Sequence, residues 1–148
     1  VKTISLTYKK MPFLRIAPIC NGKIYVAPRS YQGEEPGKLD IPMEDYIYAC
    51  KTDTDKYAKE VENKYSNHIT GQPEPRFSLK HLVKETNGVK KTIMLYILPL
   101  NDEEQIHFTG GKFVTPEEIE MNSAQYSSFL KEEVDHLNIV AQMWEEFK

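Results

Sequence analysis

An almost uninterrupted apolar segment, "IMLYIL" at residues 93–98, constrains the fold of this chain more than any other feature. The segment is far shorter than the ~20 apolar residues that a membrane-spanning helix needs. Successive side chains of a strand point to opposite faces of a sheet, so an apolar run of this kind must be covered on both sides. We therefore expect residues 93–98 to form a central, buried strand.

Two Asn-Gly dipeptides predict β-hairpins, because Asn-Gly between apolar segments is the strongest short-range hairpin signal. Asn21-Gly22 joins "FLRIAPIC" to "KIYVAP", and a second Asn-Gly joins "RFSLKHLVKE" to "KKTIMLYILPL". Further short strands are predicted at residues 3–8 and 104–114, and at residues 38–42, where Pro42 ends the strand.

Helices are predicted in the middle and at the end of the chain. The first covers residues 52–65, with Thr52 or Asp53 as its N-cap. The segment "TPEE" starts a second helix, with Thr115 as N-cap and Pro116 at the first helical position. The last helix covers residues 123–147. One stripe of it is apolar: Tyr126, Phe129, Leu130, Val134, Leu137, Val140, Ala141, Trp144 and Phe147.

We interpret that stripe as core packing, with a homodimer interface as the alternative. Strands fill the first two thirds of the chain, and helices interrupt them in the middle and at the end. This order indicates an α+β fold, an α/β/α sandwich with a mixed β-sheet between helices.

Composition limits the classes of function. The chain has 148 residues, which fits a single domain over residues 1–148, and a net charge of -3, so general nucleic-acid binding is not expected. No apolar run is long enough for a membrane span and no signal-peptide pattern is visible, so we expect a cytoplasmic protein. Cys20 and Cys50 are expected to be reduced thiols, with a disulfide as the alternative.

Three segments resemble parts of the Nudix hydrolase family in their order and spacing. "NGKIYVAPRS" resembles the strand pair that ends in a basic residue beside the substrate. "GKLDIP" resembles the approach to the signature loop, and "GGKFVTPEEIE" resembles the late strand and capped helix. The resemblance covers residues 13–147 and implies the Nudix fold, in which a mixed sheet lies between helices.

The Nudix signature itself is degenerate in this chain. It reads G, five residues, E, seven residues, R-E-U-x-E-E-x-G-U, where U is aliphatic. Glu60 and Val61 match it, and Lys59 matches in part. The other signature positions carry Asp45, Lys51, Asn63, Lys64 and Ser66.

These changes bear on metal binding, because the family hydrolyses diphosphates linked to another moiety with the help of Mg²⁺ or a similar cation. Such cations bind carboxylate oxygens. Glu60, the surviving glutamate, is the candidate catalytic residue, and Lys64 lies four positions later, where the two side chains can form an ion pair. No metal site is therefore expected. In an alternative register, Glu44, Asp45, Glu60 and Glu62 would still collect Mg²⁺ or Mn²⁺.

The candidate ligand contacts are Arg29, Tyr31, Lys38, Glu44 and Lys64. Arg29 could hold a phosphate and Tyr31 could stack on a base or sugar. We interpret the chain as a non-catalytic binding or regulatory module for a nucleotide-type ligand or a protein partner. The alternative is an active hydrolase of nucleoside diphosphate derivatives that uses Mg²⁺ or Mn²⁺ at an altered site.

Overall fold

The computed structural model describes residues 13–47, 53–84 and 90–147. Within these ranges the strands are β1 Phe13–Cys20, β2 Lys23–Pro28, β3 Leu39–Asp40, β4 Met43–Tyr46, β5 Arg76–Lys84, β6 Lys90–Pro99 and β7 Lys112–Val114. The helices are α1 Thr54–Lys64, α2 Pro116–Met121 and α3 Ser128–Glu146. The strand predicted at residues 3–8, Cys50, Lys51 and the second Asn-Gly turn lie outside the described residues.

The seven strands form one mixed sheet with the order β3-β2-β1-β6-β5, to which β4 is added on β1 and β7 on β2. Strand β6 runs parallel to β1 and antiparallel to β5. Its residues 93–98 are buried apart from Met94, which is partly buried. The predicted central strand and the α/β/α sandwich are therefore confirmed.

Strands β2 and β4 pair with different parts of the same edge of β1. Residues 13–16 pair with β4, whereas Ile19 and Cys20 pair with β2 across the predicted Asn21-Gly22 hairpin. Both turn residues have positive φ, 54° and 74°, as the tight hairpin turn requires. Strands β2 and β4 separate along β1 near Ala17 and Pro18, which leaves a cleft between them.

The helices cover opposite faces of the sheet. Tyr57, Ala58 and Val61 of α1 pack with one set of strand residues that includes Leu14 and Ile16. On the other face, the predicted stripe of α3 packs against the sheet through Leu130, Val134 and Leu137, with Trp144 partly buried beside them. The alternation of side chains along β1 sends its residues into both cores.

Helix boundaries differ from the predicted ones where tertiary contacts intervene. Helix α1 begins at Thr54, and Asp53 caps it by accepting the Lys56 N–H at 3.0 Å. Helix α3 begins at Ser128, not at residue 123. The Ser127 N–H donates to the Leu39 carbonyl at 3.0 Å, which holds the chain extended before the helix. The predicted strand at residues 104–114 is also shorter, because a 3₁₀ turn, Glu103–Gln105, precedes it and only β7 is regular.

Two stripe residues lie outside the helical core. Tyr126 is buried in the extended segment before α3, and Phe147 is 81% exposed after its end. None of the described helices is long and apolar enough to cross a membrane.

The packing of Tyr25 against Gly111 gives a test of this architecture. A Cβ at residue 111 would lie 2.0 Å from the Tyr25 hydroxyl oxygen and 2.5 Å from its Cζ. Because such a contact forces side chains or backbone to shift, we expect Gly111→Ala to lower the free energy of unfolding by about 1–3 kcal/mol in urea titrations. The control is Gly33→Ala, whose Cβ would meet only the Ser30 carbonyl at 3.9 Å. Equal stability of the two variants would contradict the described packing.

Candidate functional site

The cleft between β2 and β4 has a volume of about 530 Å³. Its walls come from the end of β2, the β3–β4 turn, the residues that follow α1 and the loop before β7. The lining residues are Ala27, Pro28, Arg29, Ser30, Gly33, Ile41, Pro42, Glu44, Tyr65, His68, Phe108 and Thr109. Two of the predicted ligand contacts, Arg29 and Glu44, are therefore in the cleft.

Beneath the cleft lies a buried arginine, Arg15 of β1, which is surrounded by carboxylates. Its Nη2 donates to Asp40 at 2.7 Å and to Glu133 of α3 at 2.8 Å, and its Nη1 donates to Glu44 at 2.8 Å. Arg15, Asp40 and Glu133 are almost completely inaccessible to solvent. Since a buried charge is tolerated only when it is paired and hydrogen-bonded, these contacts fix the relative positions of β1, β3, β4 and α3.

Arg29 connects this cluster to the cleft. Its Nη1 donates to Asp40 and forms an ion pair with Oε1 of Glu44 at 3.1 Å, and its Nε donates to the Glu34 carbonyl at 2.8 Å. The two oxygens of Glu44 are thus held by different arginines, Oε1 by Arg29 and Oε2 by Arg15.

The two acids respond differently to this environment. Burial opposes ionisation of Asp40, but Arg15 and Arg29 outweigh it, and the pKa of Asp40 is lowered. Burial raises the pKa of Glu44, and the nearby Arg15 does not fully offset that effect. Burial and the arginines thus shift the pKa values of these two neighbouring carboxyl groups in opposite directions.

The other predicted contacts in the loop after β2 lie elsewhere. Tyr31 is 85% exposed, and its ring lies beside Gly37, where an added Cβ would be 3.5 Å from it. Lys38 donates to the carbonyl of Ala124, before α3. Neither side chain lines the cleft: Tyr31 extends into solvent, and Lys38 is held by its bond to the Ala124 carbonyl.

An aromatic wall, which we define as Tyr65, His68 and Phe108, closes one side of the cleft. The rings of His68 and Phe108 are stacked with centroids 4.1 Å apart and planes 9° apart. The Tyr65 ring is tilted against Phe108 at 5.8 Å. These rings come from two segments that are distant in sequence.

Hydrogen bonds hold the aromatic wall together. The His107 N–H donates to the His68 carbonyl at 2.9 Å, and the His68 ring donates from Nδ1 to the His107 carbonyl at 2.9 Å. An isolated antiparallel bridge joins Ile69 to Ile106, and the Phe108 N–H donates to the Tyr25 hydroxyl at 2.8 Å. These bonds fix the segment that carries His68 relative to the segment that carries Phe108.

Comparisons with known proteins identify this architecture. No protein-family model matches the sequence, and no curated protein matches it. A Nudix hydrolase from Nitrosomonas europaea matches in structure with a TM-score of 0.61 and 11% identity, over 89% of this chain and 90% of the other. The C. elegans Ap4A hydrolase matches with a TM-score of 0.58 and 15% identity, over 90% of this chain and 98% of the other. The chain has a Nudix-like fold.

A third structure shares this Nudix-like fold. It is the crystal structure of the complex between the C-terminal domain of mouse MUTYH and human PCNA. That match has a TM-score of 0.55 and 16% identity, over 93% of this chain and 89% of the other.

The sequence resemblance places the Nudix signature on α1, and the structure shows which partners the side chains of that helix have. The Lys64 ammonium contacts Asp45 of β4, a partner that helix spacing could not indicate. Glu60 is half-buried, and Asn63 offers an amide where the signature has a carboxylate. Among the described residues, no group of three or more His, Cys, Asp or Glu side chains is arranged to hold a metal ion.

The alternative register for a metal site is not supported either. Of its four carboxylates, Glu44 is bound by two arginines and Asp45 by Lys64. Glu62 points into the protein and lies 3.5 Å from the Lys59 ammonium, and burial raises its pKa. A cation would have to displace these positive groups before it could bind carboxylate oxygens.

Sequence analysis missed Arg15 and the aromatic wall. Arg15 carried a readable signal, because a charged residue in the middle of the apolar strand "FLRIAPIC" requires buried partners. The sequence could not predict that Asp40, Glu44 and Glu133 are the partners, since they are 25, 29 and 118 positions away. His68 and Phe108 gave no signal, because their pairing depends on contacts between two loops.

Removal of the Arg15 side chain should lower the stability of the fold. Arg15→Met leaves Asp40, Glu44 and Glu133 together without their shared cation, so we expect the free energy of unfolding to fall by about 3–5 kcal/mol in urea titrations at neutral pH. The control is Lys131→Met, at an exposed position of α3, which should change stability by no more than about 0.5 kcal/mol. An Arg15→Met variant as stable as the parent would show that the cluster does not depend on this cation.

A histidine pair beside the cluster predicts a pH dependence. His136 Nε2 lies 2.6 Å from the Ser78 hydroxyl, and burial, together with the neighbouring His81, lowers the pKa of His136. The unfolded chain binds the proton at a pH near 6.5, so protonation favours unfolding as the pH falls below about 6.5.

We therefore expect His136→Gln to become more stable relative to the parent as the pH is lowered from about 7.5 to 5.5. Urea titrations of both proteins at several pH values measure this difference. A difference that stays constant with pH would contradict the assignment, and His107→Gln serves as a control at a histidine with an exposed side chain.

Proposed function

We propose that this protein is a Nudix-like domain without hydrolase activity that binds a nucleotide-type ligand in the cleft between β2 and β4. One observation carries the proposal: two of the four carboxylates that the alternative metal site would use are already paired with arginine or lysine. Glu44 lies between Arg15 and Arg29, and Asp45 contacts Lys64.

The loss of catalysis follows from the chemistry of the family. Hydrolysis of a diphosphate by a Nudix enzyme depends on a divalent cation that offsets the phosphate charge and positions water. An ammonium group at residue 64 repels such a cation, and the amide at residue 63 is a weak replacement for a carboxylate. Glu60 is the residue that favours the alternative, an active hydrolase with an altered metal site.

The ligand class is supported by the shape and lining of the cleft. The aromatic wall offers ring surfaces, and Arg29, Ser30 and Thr109 offer polar groups beside it. The C. elegans neighbour is named as an Ap4A hydrolase, so at least one protein with this fold acts on a nucleotide. The MUTYH domain, crystallised in complex with PCNA, is a neighbour that contacts a protein.

A thermal-shift screen tests the proposal with ADP, GDP, ADP-ribose and Ap4A, each with and without Mg²⁺ or Mn²⁺. Ligand binding to the native state raises the melting temperature by mass action. We expect the melting temperature to rise with at least one compound in the absence of metal. When Mg²⁺ or Mn²⁺ is added, we expect chromatography to show no hydrolysis product of that compound. Metal-dependent turnover that Glu60→Gln abolishes would reject the non-catalytic assignment.

The double variant Asn63→Glu, Lys64→Glu is the matched control for metal binding. It places two new carboxylates near Glu60 and frees Asp45 from its lysine. Its melting temperature should rise with millimolar Mn²⁺, whereas that of the parent should not. A parent protein that binds Mn²⁺ as well as the double variant does would show that Lys64 does not block the site.

A further inference from the structure

The charge of the cleft is unusual for a site that would bind a diphosphate. Arg29 is the only lysine or arginine among the described residues that line it. Its Nη1 contacts both Asp40 and Glu44, and its Nε is bonded to the Glu34 carbonyl. A phosphate that approached Arg29 would also approach the carboxylate of Glu44, which lines the same cleft.

The nearby cations do not change this balance. Lys64 is held by Asp45, and Lys38 is directed to the Ala124 carbonyl. Arg15 is completely buried and shared among three carboxylates. In Nudix enzymes a metal would supply the missing positive charge, but the side chains of α1 do not fit one.

The aromatic wall offers a different kind of contact. His68 and Phe108 form a stacked pair of rings with Tyr65 beside them, and hydrogen bonds between their segments fix the pair. A neutral planar group can stack on such a fixed surface at little cost in ordering. Glu44, at the floor of the cleft, is an acceptor for an amino or ring N–H group.

We infer that the cleft recognises the nucleoside part of its ligand, a planar heterocycle with hydrogen-bond donors, and that the diphosphate contributes little to binding. The inference rests on the proposed function, since it concerns the same cleft. It departs from the way a diphosphate hydrolase must hold its substrate, because the phosphates are left without a metal and without an uncompensated cation.

Calorimetric titrations with adenosine, guanosine, cytidine and uridine, and with their diphosphates, test this inference. We expect at least one nucleoside to bind, and its diphosphate to bind within about fivefold of the same affinity, since a compensated or exposed ion pair adds little. Mg²⁺ should leave both affinities unchanged. A rise in salt concentration should weaken the diphosphate no more than the nucleoside, because screening acts on charge.

Variants of the aromatic wall locate the contact. Phe108→Leu removes the ring and keeps an apolar side chain, and it should weaken nucleoside binding about tenfold, the usual effect of losing one base–aromatic stack. Phe108→Tyr keeps the ring and should retain the affinity, which separates a lost stack from damaged packing. The control is Phe113→Leu, because Phe113 also packs beside Tyr25 but does not line the cleft.

Each alternative outcome rejects a different statement. A diphosphate that binds more than about tenfold tighter than its nucleoside, or that needs Mg²⁺, would overturn this inference and leave the proposed nucleotide binding in place. Nucleoside binding that is unaffected by Phe108→Leu would overturn the role of the aromatic wall. No binding of either set would reject the proposed function and this inference with it.

Discussion

The buried Arg15 is the interaction on which the rest of the structure depends. It joins β1 to β3, β4 and α3 through Asp40, Glu44 and Glu133, and these contacts lie between the sheet and one of its covering helices. A His81 ring on β5 donates to Glu133 at 3.0 Å and extends the cluster to the far strand of the sheet. A cluster of this kind adds little net stability over an apolar core, but losing any one charge leaves others buried and unpaired. It therefore fixes the arrangement of the elements more than it strengthens the fold.

The same cluster determines the charge that the cleft offers to a ligand. Arg29 is positioned by two of the carboxylates that hold Arg15, so the basic group at the cleft is already compensated. Three carboxylates face two guanidinium groups, which leaves no excess of positive charge for a phosphate. The wall opposite is aromatic and is held by backbone hydrogen bonds between two loops. The fold thus offers ring surfaces and hydrogen-bond acceptors more readily than it offers cations.

The comparison structures share the fold of this chain at low sequence identity. This chain aligns over most of its length with a Nudix hydrolase and with an Ap4A hydrolase, yet at only 11% and 15% identity. The shared feature is the α/β/α sandwich, with a mixed sheet between helices. The carboxylates that would bind a metal belong to a few side chains on α1, and a fold tolerates changes there because those side chains contribute little to its core.

The sequence by itself determined the local elements and their layering. The apolar run at residues 93–98, the Asn21-Gly22 turn and the stripe of α3 each depend on the period of side chains along a strand or helix, which is readable from neighbours in the chain. The N-caps Asp53 and Thr115 could also be predicted, because each bonds to an N–H group only three residues later in the chain. The absence of carboxylates at residues 63 and 64 was also visible in the sequence, given the resemblance to the Nudix signature.

Only the tertiary structure decided which side chains meet. It paired Lys64 with Asp45, surrounded Arg15 with acids from three other elements, and stacked His68 on Phe108. The structure also places the start of α3 at Ser128, because a bond from Ser127 to Leu39 keeps Tyr126 and Ser127 extended. It left Tyr31 exposed to solvent and bound Lys38 to the Ala124 carbonyl, so neither lines the cleft. The physical reason is common to all of these: local periodicity fixes the direction of a side chain within its element, whereas its partner depends on how distant elements pack.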